Sequence, residues 1–294
     1  MAIAGIGILL FHLWVPVFPY GTAAGTVERF LVSVGYVGVD VFFFVSAYTL
    51  SLRPVYDCRG FLWDRLWKLL PLFLTAWALG KFLWFVPALL VVYVLFPPLY
   101  RLCRPHPVFS ALLLLLAWAA LVVLAEGWLQ PERDVGIFLF RIPVILLGAY
   151  GAALEGKLSP RRKGLWGLGL LAAGVPLLVR FASLHKLREP FQDTFYLTVL
   201  PAALGILLLT DWLSDRLSCP PLERLGAVTL ELYFMQLAAG GALIEFFLGL
   251  THSRLVTDIF VMAAVIAASL GLGAALGWLR KRNPLRRLVP PKTP

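Results

Sequence analysis

Apolar residues in this chain come in runs long enough to cross a lipid bilayer, and that feature decides most of what the chain can fold into. A hydrocarbon layer about 30 Å thick takes about 20 residues of helix at about 1.5 Å each. Ten runs approach that length, near residues 2–19, 28–50, 66–80, 82–100, 107–125, 135–154, 164–181, 195–212, 226–250 and 255–279. Inside hydrocarbon every backbone N–H and C=O must find its partner within the protein, so isolated runs of this kind become helices. The expected fold is therefore all-α, a polytopic integral membrane protein of about ten transmembrane helices. A composition of 60% hydrophobic and 14% charged residues excludes an ordinary soluble domain. The first run lacks a basic leading segment and a small-residue cleavage site, so it is expected to stay as a helix. One membrane domain is expected over residues 1–280, followed by a basic tail, 281–294.

Lysine and arginine orient such a bundle, because they accumulate in loops on the cytoplasmic side. With ten helices, both termini share one face, and of the 26 basic residues eighteen fall on that face, seven on the other, and Arg141 inside the sixth run. Both termini are expected to be cytoplasmic. Cys58, Cys103 and Cys219 fall in loops of the same face, where thiols stay reduced. The net charge of +10 is read mainly as this topology signal and as contact with anionic membrane lipids. Arg65 and Lys68 in "RLWK", at the expected start of the third helix, are the best candidates for binding a cytoplasmic anion, since a helix N-terminus also favours negative charge. No soluble basic face exists to suit nucleic acid, and no cluster of His, Cys or carboxylate has metal-ligand spacing.

Ionisable side chains within the runs are the candidates for function, since each costs about 2.5–3.5 kcal/mol to bury in the bilayer. The four singled out, away from the ends of their runs, are His12, Asp40, Arg141 and Glu231, with Gln236 as a neutral fifth. Counting helical rise from the run ends puts His12, Asp40, Arg141 and Gln236 at one depth and Glu231 in a layer nearer the cytoplasm. Helical phase gives Asp40 a shared face with Ser33, Tyr36, Phe44 and Ala47, and gives Gln236 one with Thr229, Tyr233 and Gly240. Both faces suit a polar cavity. His106, His185 and His252 fall in loops or at helix ends and are read as solvated.

Several segments, taken in order, resemble the membrane-bound acyltransferase family 3. "GVDVFFFVSAYTL" is similar to that family's Gly-Val-Asp-x-Phe-Phe segment, with Ala47 where the family has glycine. "RLWKLLP", "WFVPALLVVYVLFPPL", "RIPVILLGAY" and "LGAVTLELYFMQ" continue the resemblance over nearly the whole chain. His12 matches the histidine of the family's R-x10-H pattern. Met1 occupies the arginine position of that pattern, and Gln236 stands where the ninth-helix motif usually has histidine.

The resemblance implies a membrane-embedded O-acyltransferase of a bacterial plasma membrane. It would move an acyl group, acetyl first of all, from cytoplasmic acyl-CoA to a hydroxyl of a surface carbohydrate or glycolipid, with acyl-CoA as co-substrate and no permanently bound cofactor. In that reading His12 is general base, Asp40 is its carboxylate partner, and Arg65 and Lys68 hold the phosphates of acetyl-CoA. Arg141, Tyr36, Tyr233, Gln236 and Glu231 then contact substrate. The alternative is a transporter or lipid flippase that uses the same buried charges along a translocation path. Inverted repeats and matched broken helices, the marks of such transporters, are not evident in the sequence.

Overall fold

A computed structural model describes residues 1–52, 58–81, 84–103, 105–129, 133–153, 158–182, 197–214 and 216–282. Among these residues the secondary structure is helical throughout, and no strand occurs. In chain order the α-helices are α1 (Ala2–Leu13), α2 (Ala23–Ser33), α3 (Val37–Ser51), α4 (Cys58–Ala78), α5 (Phe85–Cys103), α6 (Pro107–Leu124), α7 (Arg133–Leu139), α8 (Ile142–Ala153), α9 (Pro160–Ala182), α10 (Leu200–Ser214), α11 (Pro220–Ala227), α12 (Thr229–Thr251) and α13 (Arg254–Arg282). Seven rods among the described residues are long and apolar enough to cross a membrane, and the shorter apolar segments Ala2–Leu13 and Phe85–Phe96 stand beside them. Large apolar side chains on α6 face outward, with Val108 74% and Leu116 69% exposed, as lipid-facing surface requires.

The helix ends differ from the sequence expectation for physical reasons. α1 stops at Leu13 rather than near 19, because Pro16 and Pro19 cannot continue an α-helical ladder. α4 begins at Cys58 rather than at 66, its first turns carrying the charges that mark a membrane interface. Arg65 and Lys68 therefore lie well inside α4 and not at a helix N-terminus. Their attraction for anions comes from their own charge. α13 runs to Arg282, and residues 283–294 of the expected basic tail lie outside the described residues, as do Arg53, His185 and residues 154–157.

Two rods are interrupted in mid-course. A 3-10 turn, Val34–Tyr36, separates α2 from α3, and it presses Gly35 so closely against the backbone of Gly7 in α1 that a side chain there would collide with it. The second break separates α7 from α8. Pro143 has no N–H to give to the carbonyl of Leu139, and the indole Nε1 of Trp118 in α6 donates to that carbonyl at 2.7 Å instead. The N–H of Arg141 turns to Phe138 (3.0 Å), leaving the Ile137 carbonyl to accept from Arg141 Nη1 at 3.3 Å. A proline two residues on thus sets the arginine in a kink instead of a regular turn.

The main apolar core joins α1, α3–α10 and α12, and a second, smaller core joins α1 and α11–α13. α3 packs tightly on α8, where Gly148 lies against the backbone of Phe44 with no room for a Cβ. That contact brings Asp40, one turn before Phe44 on α3, level with the start of α8.

Candidate active site

A cavity of about 770 Å³ runs between α1, α3, α4, α5 and α12, and the kink between α7 and α8 closes one side. One wall is made by Tyr36 of the 3-10 turn and by Val39, Phe42 and Ser46 of α3, spaced as one side of a helix requires. Tyr36 and Ser46 are ten residues apart, so the cavity extends roughly 15 Å along α3. Most of the candidate residues meet here: His12, Tyr36, Arg65, Lys68, Arg141 and Tyr233 all line it.

The two ends differ in chemistry. At the Ser46 end stand Arg65 and Lys68. The Arg65 guanidinium lies 5.4 Å from the ring centre of Phe61 and 5.3 Å from that of Tyr93, an aromatic cradle that keeps a cation in place while leaving its N–H edge for a ligand. At the Tyr36 end stand His12 and Arg141. Among the described residues the ionisable side chains on its otherwise largely apolar lining include His12, Arg65, Lys68 and Arg141 and no carboxylate, a charge balance that draws anions.

His12 sits in the last turn of α1, its Nδ1 3.0 Å from the carbonyl of Ile8. A carbonyl only accepts, so Nδ1 carries the proton and, in the neutral ring, Nε2 is left with the lone pair. Phe11 is edge-on to the imidazole at 5.1 Å and to Tyr36 at 6.1 Å. The helix's own backbone therefore fixes the tautomer.

Asp40 does not serve His12 in this arrangement. Its carboxylate is fully buried and lies 3.1 Å from Arg141 Nε, itself in a side chain only 2% exposed. The expected Asp40–imidazole contact is replaced by an Asp40–guanidinium ion pair, because Asp40 looks toward α8 while the cavity face is Tyr36, Val39, Phe42 and Ser46. The pair holds the Nε edge of Arg141, Ile137 takes one terminal N–H, and the Trp84 ring centre lies 5.8 Å from the guanidinium carbon. Burial raises the cost of each charge, and the pairing offsets it.

Gln236 and Glu231 are buried at 2% and 6% exposure and are not among the lining residues. The cavity takes Thr229, Leu230 and Tyr233 from α12, so the polar stripe expected through Gln236 and Gly240 reaches the cavity only at its first turns; Gly240 packs on Leu13 instead. Sequence reading missed Trp84, Tyr93 and Ser46, none of which carries a charge to single it out. It also missed Glu28, whose carboxylate accepts from Trp14 Nε1 and from the backbone N–H groups of Val17 and Phe18.

The acyltransferase domain model of acyltransferase family 3 matches residues 2–83 and 81–278 of the chain. No curated protein and no solved structure gives a match.

Proposed function

We propose, on the premise that the chain belongs to acyltransferase family 3, that this multi-pass membrane acyltransferase carries an acyl group from cytoplasmic acyl-CoA to a hydroxyl of a carbohydrate or glycolipid acceptor. Acetyl-CoA is the donor proposed first. The observation that carries the reading is the cavity's polarity: Arg65 and Lys68 on the lining toward Ser46, and, on the same lining, an imidazole with a fixed tautomer and a buried guanidinium, in a cavity that extends roughly 15 Å along α3.

A CoA thioester is built to match that layout, with phosphates at one end of a long, thin, uncharged arm and a reactive carbonyl at the other. In this reading the phosphates bind Arg65 and Lys68, and that end of the cavity faces the cytoplasm, in line with the lysine and arginine distribution that orients both termini there. The arm passes between Phe42, Phe85 and Tyr233, and the thioester arrives near His12. The acceptor oxygen attacks the carbonyl carbon as its proton passes to His12 Nε2. A C–O bond forms and the carbonyl oxygen gains negative charge, which the Arg141 guanidinium stabilises. As the intermediate collapses the C–S bond breaks, and the departing thiolate takes the proton back from the imidazolium as free CoA. The acyl ester stays on the acceptor. Asp40 contributes by holding Arg141, and the apolar walls keep water from hydrolysing the thioester.

The test is release of free thiol. Purified protein given acetyl-CoA and a panel of hydroxyl acceptors, n-octyl-β-glucoside among them, is expected to liberate CoA in step with acetylated acceptor. A protein that liberates none from acetyl-CoA or from longer acyl-CoA refutes the proposal, because a transporter or flippase would move its cargo without producing thiol.

A further inference from the structure

The segment that follows His12 is held by carboxylates in a way the mechanism above leaves unused. After α1 ends, Trp14–Phe18 runs without helical bonding, and Pro16 has no N–H to place. Trp14 N still bonds the Leu10 carbonyl at 3.0 Å. The other three N–H groups all go to acids: Val15 to Asp258 Oδ1 of α13 (3.3 Å), Val17 to Glu28 Oε1 and Phe18 to Glu28 Oε2 of α2 (both 2.9 Å). Glu28 also accepts the Trp14 indole N–H at 2.9 Å. The backbone donors of the segment are thus all satisfied, and a single side chain, Glu28, takes three of the hydrogen bonds. Charge-assisted bonds of this kind are stronger than neutral ones. The next residue, Arg29, donates to the Phe18 carbonyl (3.4 Å) and stacks over Tyr20 at 4.1 Å, so α2 grips the segment by its donors and by an acceptor.

We propose that Glu28 is a positioning residue: its carboxylate ties down the strap Trp14–Phe18 and thereby fixes the last turn of α1, and the His12 imidazole with it, at the far end of the cavity. This rests on the acyl-transfer reading for its consequence, though the clamp itself is a matter of backbone geometry. The strap begins two residues after His12, so slack there moves the ring and opens that end of the cavity to water. A glutamine at 28 keeps the size of the side chain but cannot accept with both ends, since its Nε2 is a donor; one of the two backbone N–H groups then meets another donor.

The experiment compares wild type with Glu28→Gln in the full chain, by two readouts. Backbone hydrogen exchange of a peptide covering residues 11–18 is expected to quicken in the variant while a peptide from α5 keeps its protection. With acetyl-CoA and n-octyl-β-glucoside, transfer is expected to fall about 10- to 100-fold, the scale of a misplaced catalytic group. Acceptor-independent thiol release is expected to rise relative to transfer, and KM for acetyl-CoA to stay as it is. A merely destabilised protein would lose both activities in proportion. Unchanged exchange at 11–18, or an unchanged ratio of hydrolysis to transfer in a protein whose wild type is active, overturns the inference alone. A wild type that releases no thiol overturns the acyl-transfer reading and takes the role of Glu28 with it.

Discussion

His12→Ala is expected to lower acyl transfer by about 10²- to 10⁴-fold, the range spanned by loss of a general base, with the folded protein still in the membrane. Among the described residues the side chain's polar contact is to the Ile8 carbonyl of its own helix, which the helix backbone can satisfy without it. Stability should change little. KM for acetyl-CoA should hold as well, because the cationic mouth lies at the opposite end of the cavity. Steady-state thiol release across a range of acetyl-CoA concentrations separates the two constants. His12→Gln should be equally impaired, since an amide at that position has no basic nitrogen to receive the proton.

The second large effect is at the buried ion pair. Asp40→Asn leaves the Arg141 guanidinium without its counter-ion inside the bundle, and breaking a buried pair in this way costs about 3–5 kcal/mol. Arg141→Met strands the carboxylate in turn. Each change is expected to cut acyl transfer by about 10²- to 10³-fold, the cost of losing a donor to a developing oxyanion. The double variant Asp40→Asn/Arg141→Met should regain most of the lost thermal stability, because no uncompensated charge remains, yet should stay as inactive as either single variant. That non-additivity is the signature of two residues acting as one unit. If Asp40 worked through His12 instead, its loss and that of Arg141 would multiply. Thermal unfolding in detergent and thiol release on the same four proteins read both quantities.

The contrast between these two predictions follows from which parts of the site can be read in a sequence. The apolar runs specify helices because a bilayer leaves no other way to satisfy the backbone, and rise per residue then sets depth. His12 and Arg141 both line the one cavity. Depth does not set azimuth. Asp40 is at the right level for His12, but rotation of α3 turns it toward α8, and that rotation is decided by Gly148 fitting against the Phe44 backbone, a contact between residues far apart in the chain. The kink that seats Arg141 did leave a signal, Pro143, whose missing N–H frees the Leu139 carbonyl for Trp118. The 3-10 break at Val34–Tyr36 depends on Gly35 meeting Gly7, a pairing visible only once α1 and α3 are side by side. Glu28 escaped notice because a glutamate near the end of an apolar run reads as solvated, whereas its three hydrogen bonds are to a segment that no periodicity marks.

The extent of the α4 helix illustrates the same limit. Charged residues before an apolar run suggest a loop, yet an interfacial helix tolerates them on its polar side. Arg65 and Lys68 lost their expected helix terminus and gained a place in the cavity wall. The rings of Phe61 and Tyr93 hold the Arg65 guanidinium in place, and its own charge, not a helix dipole, is what attracts an anion.

The account turns on whether a CoA thioester threads this cavity. The most direct measurement is an experimental structure with a non-hydrolysable acetyl-CoA analogue, in which sulfur is replaced by methylene. The account predicts density for the phosphates beside Arg65 and Lys68, with the ketone carbonyl near Arg141 and the acyl carbon facing His12 Nε2. An analogue bound elsewhere, or one that enters with its acyl end at Arg65 and Lys68, contradicts it.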